Sequence, residues 1–250
     1  MSLFDHIPRP LRRFLAFNLT FRDKWVSQQA GLLPAGTRIL DVGAGSCHYR
    51  NLFRHCEYRS QDFSTLAGGQ LRDGGYGAID YVCDATKIPV EDGSFDAILC
   101  TEMLEHVHNP VAVVNELSRI LRPDGRLILT APLGSGIHQE PYHFYGGYTP
   151  YWYEKFLHEA GFVDIRVEPN GGFFRHYGQE SLRFLQLTRP GGALMPMWVS
   201  VLMVPLWLML LPVLGIFFPL LCDWLDRFDT KHDFTVGYHV TAKRMRPGTQ

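Results

Sequence analysis

This 250-residue chain lacks an excess of charge of either sign: 24 Lys and Arg stand against 25 Asp and Glu, for a formal net charge of −1. A broad basic footprint for nucleic acid is thereby excluded. Cysteine is sparse and odd in number, with five residues and no Cys-x-x-Cys pair. That excludes a disulfide framework and leads us to expect reduced thiols in a cytosolic compartment. Internal repeats are absent. The N-terminal stretch scatters Arg9, Arg12, Arg13, Arg22 and Lys24 among apolar residues. No apolar run there is long enough for a signal peptide. One further absence is local: residues 191–222 contain no charged residue at all. What the chain does have is apolar bulk, 46% of its residues, enough for one domain with a full core and an insertion.

The most informative stretch runs from Arg38 through Ile39, Leu40, Asp41, Val42, Gly43, Ala44 and Gly45 to Cys47. It reads as a strand that ends in a tight turn, where alternate glycines let a ligand approach bare backbone. Asp62 follows about twenty positions on, the spacing at which such folds hold a ribose. A nucleoside cofactor is the reading that joins the two. Around them, strands are predicted at 37–42, 58–62, 79–83, 95–100, 126–130, 162–168 and 235–243. Helices are expected at 9–30 (one or two, amphipathic), 46–55, 111–121 and 151–160. This alternation implies a seven-stranded, mostly parallel sheet with helices on both faces.

With those elements in place, the chain resembles the class I S-adenosylmethionine-dependent methyltransferases, in particular the methyltransferase type 11 group. The matching residues are Leu40 to Gly45, Asp62, Asp84-Ala85 with Ile88-Pro89, and Ser94-Phe95-Asp96. They continue with Glu102-Met103-Leu104-Glu105-His106-Val107 and then Glu116 to Arg126. The resemblance implies a Rossmann-like fold and S-adenosyl-L-methionine as cofactor. It also implies roles: Asp41 for the glycine loop and the cofactor ammonium, and Gly43, Ala44 and Gly45 for close approach to ribose and methionine. Asp62 would serve the ribose hydroxyls, Asp84 and the backbone of Ala85 the adenine, and Thr101 and Glu102 would lie beside the ligand past the fourth strand. Where many members have a third glycine, this chain has Cys47. A nicotinamide reading is weaker, because His48 stands where its fingerprint wants a glycine.

The segment from Gly136 to Tyr145 follows the fifth strand and suits a substrate lid. Its His138, Tyr142 and His143 are the candidates for acid–base work on a methyl acceptor, set against a packed aromatic loop. His106, His108, His138 and His143 show no recognised metal-ligand spacing, so no metal is expected.

Domain limits follow: N-terminal helices over 1–34, a cofactor-binding domain over 35–168 and 233–246, and an apolar helical insertion over 170–232. The insertion lies between two strands of one sheet, so any membrane crossings must be even in number. Its uncharged stretch is too short for two. A broken helical hairpin or pair of helices dipping into one leaflet is expected, with Arg183, Arg189, Arg227 and Lys231 near headgroups. A buried subdomain or a homo-oligomer interface is the alternative. The functional expectation is a methyltransferase for a small or lipid-linked acceptor, cytoplasmic, peripheral or monotopic on the inner face of a membrane. The alternative is a catalytically silent binding or scaffold module of the same fold.

Overall fold

The computed structural model describes residues 17–192, 194–246 and 248. Leu11, Phe14 and Leu15, assigned above to N-terminal helices, lie outside the described residues. The strands are β1 (Arg38–Val42), β2 (Glu57–Asp62), β3 (Tyr81–Val82), β4 (Phe95–Thr101), β5 (Leu121–Pro132), β6 (Phe162–Pro169) and β7 (Gly237–Arg244). They form one sheet in the order β3-β2-β1-β4-β5-β7-β6. β1 runs parallel to β2 and β4, and β4 parallel to β5, whereas β7 is antiparallel to β5. The predicted seven-stranded, mostly parallel sheet is thus present.

β4 and the second half of β5 read as near-continuous buried runs because both faces of the sheet are covered there. Side chains alternate between two cores, as the period of two requires. Ile39, Ala97, Leu99 and Ile128 pack with Trp25, Val26 and Ala30 of α1 (Phe17–Gly31). Leu40, Ile98, Leu127 and Leu129 pack on the other side. Their partners there are Val113 and Leu117 of α2 (Pro110–Ile120), and Tyr153 and Leu157 of α3 (Pro150–Glu159). Truncating one such fully buried leucine to alanine costs about 2–5 kcal/mol. Both α2 and α3 start by the same local rule. The Asn109 side chain accepts from Ala112 N and the Thr149 side chain from Trp152 N, and each cap precedes a proline whose missing N–H is harmless there.

Two expected elements are shorter than predicted. Only a 3₁₀ turn, Arg50–Phe53, forms within 46–55, because Cys47 takes the left-handed conformation (φ +53°) and breaks the run. β3 shrinks to two residues. Just before it, Ser60 N and Oγ donate to the Asp80 carboxylate.

The chain divides into two compact units. Among the described residues, one holds Arg22–Glu168 and those from Gly237 on; the other holds residues 17–21 and those from Pro169 to Val236. Within the second, α4 (Phe173–Leu187) precedes α5 (Met197–Pro212), a π turn (Val213–Phe217) and α6 (Phe218–Leu225). The expectation of a hairpin broken inside the uncharged stretch is corrected here: Met197–Phe228 is one helical run of 32 residues. Its prolines do not break it. Pro212 closes α5, Pro219 enters at the start of α6, and the π turn between them absorbs the lost backbone bonds.

The hairpin partner is α4, lying antiparallel to this run. Arg175 Nε bonds Asp223 Oδ1 at 3.0 Å, Trp207 Nε1 donates to Leu185 O at 3.0 Å, and a Cβ on Gly178 would lie 3.1 Å from Cys222 Cβ. Asp226 Oδ1 accepts from the Gly172 and Arg175 backbone N–H groups and so closes the N-terminus of α4. The run has mean hydropathy 2.5 over its most apolar window, none of which is buried.

Candidate functional site

The topology decides where a ligand can sit. From β1 the chain steps to β2 on one side, and β4 and β5 follow on the other, so a crevice opens past the carboxyl ends of β1 and β4. Register does the rest. Val42 pairs with Gln61 on β2 and Cys100 on β4. Gly43, Asp62 and Thr101, each one residue further on, therefore fall at neighbouring strand tips. A single cavity is lined there by Asp41, Gly43, Ala44, Gly45, Asp62, Thr101 and Glu102. Seven of the nine expected cofactor-binding residues share this wall.

The glycine loop is pinned onto β2. Gly43 N and Ala44 N both donate to Gln61 O, at 2.9 and 3.0 Å, and Gly45 N donates to Asp62 Oδ2 at 2.9 Å. Gly43 has φ +71°, and a Cβ there would stand 2.3 Å from Met103 Cγ. Only glycine fits that position. Cys47, with φ +53° and 7% exposure, carries at its own expense the strain that a glycine would avoid.

Asp41 is 2% exposed and accepts a 2.6 Å hydrogen bond from the Tyr58 hydroxyl. Burial pushes its carboxyl up to about 7 despite that bond, and the Asp62 charge adds to the rise. Asp62 accepts from Gly45 N on Oδ2 and from Ser64 N on Oδ1. A carboxylate offers about four acceptor sites, so two remain for hydroxyl donors.

Asp84 and Ala85 line an adjoining cavity rather than the first. The two cavities share Asp62, Phe63, Met103, His106 and Tyr142 as walls. Asp84 Oδ1 accepts from Thr86 N and Thr86 Oγ1, and these bonds hold its carboxyl below the usual range.

Glu102 is engaged on both oxygens. Oε1 accepts from Thr130 Oγ1 at 2.9 Å, and Oε2 pairs with Arg22 at 2.9 Å. Arg22 is a wall residue that the motif reading missed. It is buried, its Nε has no partner, and it lines the cavity beside Glu102. Among the N-terminal cations its type alone could not single it out. Tyr58, Phe63 and Met103 were missed for the same reason: each is an ordinary core residue type.

The loop after β5 folds over this region. Gln139 and Tyr142 line the cavity, and the Tyr142 ring meets Phe63 edge-on at 5.0 Å. Gln139 Nε2 donates to Gln70 O, and Gln70 Nε2 to Glu140 O, joining two loops. His138 and His143 are gathered instead around His106, with ring centroids 4.7 and 5.7 Å from it. Of the three lid candidates, Tyr142 is the one on the cavity wall. Burial drives His106 down to about 4, and burial together with Glu102 drives Glu105 well up.

The pocket fits an adenosyl sulfonium amino acid. Bare backbone lies where a Cβ would clash, and a buried carboxyl and a buried guanidinium line the space. Comparison with known proteins agrees. A methyltransferase domain family matches residues 40–129. The chain is 35% identical over 121 residues to a ubiquinone biosynthesis O-methyltransferase of Dechloromonas aromatica, covering 44% of this chain and 49% of that protein. A protein of the same name from Xanthomonas oryzae is 50% identical over 119 residues, covering 38% and 43%. The chain spans about half the length of these curated relatives.

Among solved structures, a Haemonchus contortus phosphoethanolamine N-methyltransferase 2 in complex with S-adenosyl-L-methionine aligns with TM-score 0.52 at 18% identity, covering 90% of this chain and 52% of that one. The cyclase SpnF aligns equally well, TM-score 0.52 at 16% identity over 90% and 80%. These two likenesses speak to the fold alone, and two different chemistries on one fold show why the sequence motifs are needed as well. On those motifs, residues 40–129 match a methyltransferase domain family, and the chain is similar there to S-adenosylmethionine-dependent methyltransferases of class I.

Proposed function

We propose that the protein methylates an oxygen of a small or lipid-linked acceptor at a membrane surface. The observation that carries the methyl-transfer reading is the convergence of Asp41, the glycine loop and Asp62 on one cavity roofed by Gln139 and Tyr142. Asp62 would hold the ribose hydroxyls and Asp41 the ammonium. Arg22 lines the same cavity and suits the carboxylate. Asp84 and Ala85, across the shared wall, would take the adenine.

When bound, S-adenosyl-L-methionine supplies a methyl group on a positively charged sulfur. The protein's share of such a displacement is chiefly positioning and exclusion of water. The lid loop supplies the exclusion, and Tyr142 is the lid residue placed to touch an acceptor. Oxygen as the accepting atom follows the printed names of the curated relatives.

The apolar helix supports the membrane part of the reading. At 32 residues it is about 48 Å long, and Met197, Trp198, Val201, Leu202, Leu208 and Met209 are all exposed on it. An apolar surface of this extent does not stay bare in water. Its flanking strands β6 and β7 are neighbours in one sheet, so the segment must return to the side it left. A hairpin lying in one leaflet meets that condition and a single crossing does not. Arg183, Arg189, Arg227 and Lys231 would each add about 1 kcal/mol of attraction to an anionic surface.

The test is release of S-adenosylhomocysteine when the full chain is offered the cofactor with soluble extract or with solubilised membrane lipids. Turnover confined to the lipid fraction supports the whole reading. Turnover with soluble extract alone removes the lipid acceptor. Cofactor binding with no turnover in either fraction overturns the enzyme in favour of a silent binding module.

A further inference from the structure

We infer that Glu105, His106 and His138 form a binding site for a divalent transition cation of the zinc type, and that the bound ion clasps the lid loop to the segment after β4. The side-chain donor atoms of these three residues already lie within 4.8 Å of one another. His143 lies beside the group, its ring centroid 4.7 Å from that of His138.

The hydrogen bonds fix which ring atoms are free. His106 Nδ1 lies 2.6 Å from Tyr142 O, an oxygen that can only accept. Nδ1 therefore carries the proton and Nε2 the lone pair. His138 Nδ1 lies 2.9 Å from Gly136 O, so its Nε2 is likewise the free donor atom. A backbone carbonyl on the far ring nitrogen is the outer partner that metal-ligating histidines ordinarily have. Ser135 Oγ lies 3.1 Å from Gly146 O and gives its proton there. It then accepts from His143 Nε2 at 3.0 Å, which leaves His143 Nδ1 with a lone pair. Three imidazoles thus each keep one unprotonated nitrogen in one small cluster.

Glu105 supplies the charge. It is 1% exposed, and its Oε2 has no hydrogen-bond partner. Its Oε1 faces His106 Nε2 across 3.7 Å. A cation standing between these two acceptor atoms would satisfy both. Two imidazoles and a carboxylate are a donor set that suits zinc and its neighbours. Four-coordinate donors at about 2.0–2.1 Å from zinc lie roughly 3.3–3.4 Å apart, so each pair would close by no more than about 1.5 Å. The exposed lid can supply that movement.

The consequence follows from chain position. Glu105 and His106 sit just past β4, where His106 lines the cavity, whereas His138 is on the loop whose Gln139 and Tyr142 roof it. An ion bridging the two ties roof to wall. The sequence could not show this, because Glu105 and His138 are brought together only by the fold.

The experiment is calorimetric titration of the full chain with Zn2+, paired with limited proteolysis of the loop at residues 134–146 with and without Zn2+. One equivalent should bind, and the loop should become at least tenfold slower to cleave. His138→Ala, at an exposed position where folding is not at stake, should weaken binding at least thirtyfold and abolish the protection. Co2+ in place of zinc should give the strong visible absorption of a low-coordinate nitrogen and oxygen site in the wild type and not in His138→Ala. Glu105→Gln, if its melting curve is intact, should behave like His138→Ala. Three results would overturn the proposal: no binding, several weak equivalents unaffected by His138→Ala, or binding without protection of the loop. In the first case a proton shared by Glu105 and His106 fills the gap instead.

Discussion

The hydroxyl of Tyr58 donates a 2.6 Å hydrogen bond to Asp41 Oδ2, and it does so from the neighbouring strand, beneath the glycine loop. That bond is the larger of two offsets to the burial of the Asp41 carboxyl, the charge of Arg50 being the other, and the pKa is still pushed up to about 7. The cofactor-free protein is therefore poised between a neutral and a charged Asp41 near neutrality.

A pH dependence follows, with a definite sign. The folded pKa of Asp41 lies above its ordinary value of 3.8. From about pH 4 to 7 the folded chain keeps a proton that the unfolded chain has released, so this group withdraws stability as pH rises through that window. Asp41→Asn removes the effect. Scanning calorimetry of cofactor-free protein should find the variant gaining in melting temperature relative to wild type between pH 5 and 8. Cofactor affinity should move the other way, rising in the wild type from pH 6 to 8 as the carboxylate forms and staying flat and weak in Asp41→Asn.

Tyr58→Phe deletes the bond and keeps the ring. A hydrogen bond to a charged group is worth about 1.5–3 kcal/mol, so cofactor affinity at pH 7 should fall about tenfold or more. The midpoint of its pH dependence should move upward, because the charged carboxyl has lost its donor. Isothermal titration at pH 6, 7 and 8 reads both effects. An unchanged midpoint would detach Tyr58 from Asp41.

Glycines 43 and 75 should respond differently to alanine. At Gly43 the added Cβ meets Met103 Cγ at 2.3 Å and φ is +71°, whereas at Gly75 nothing lies within 4 Å. The left-handed conformation alone costs about 1–2 kcal/mol. Gly43→Ala should therefore lower stability by at least that much and cofactor affinity at least tenfold, while Gly75→Ala should change neither. Denaturant melts with parallel binding titrations make the comparison.

The membrane reading is checked on side chains that support no fold. Trp198 and Leu202 are 69% and 72% exposed. Replacing both with aspartate should leave the melting temperature within a degree or so of wild type. Co-flotation with anionic vesicles should fall at least tenfold. Flotation that survives both substitutions would assign the apolar helix to another use.

Much of this arrangement is written locally, and some of it is not. Asp41, Gly43, Gly45 and Asp62 were readable because backbone geometry demands those residue types at that spacing. The same holds for β4 and the end of β5, whose side chains are covered on both faces of the sheet. Arg22 and Tyr58 were not readable, since a cation in a helix and a tyrosine in a strand have many uses and only β-register brings them to the cavity. His138 and His143 were singled out for their chemistry, and their neighbour His106 was not foreseen. The lid turns them toward His106, a contact set by the carbonyls of Gly136 and Tyr142 rather than by spacing. The uncharged stretch was recognised as helical. Its continuity was missed because prolines break helices in water-soluble cores more readily than next to a π turn with an antiparallel partner.

Calorimetric titration of S-adenosyl-L-methionine into the wild type and into Asp62→Ala tests the central claim most directly. Asp62 ties Gly45 to the tip of β2 and keeps acceptor capacity for two hydroxyls, so the wild type should bind one equivalent. The variant, with its circular dichroism unchanged, should bind at least thirtyfold more weakly. Equal affinity in the two proteins would contradict the account.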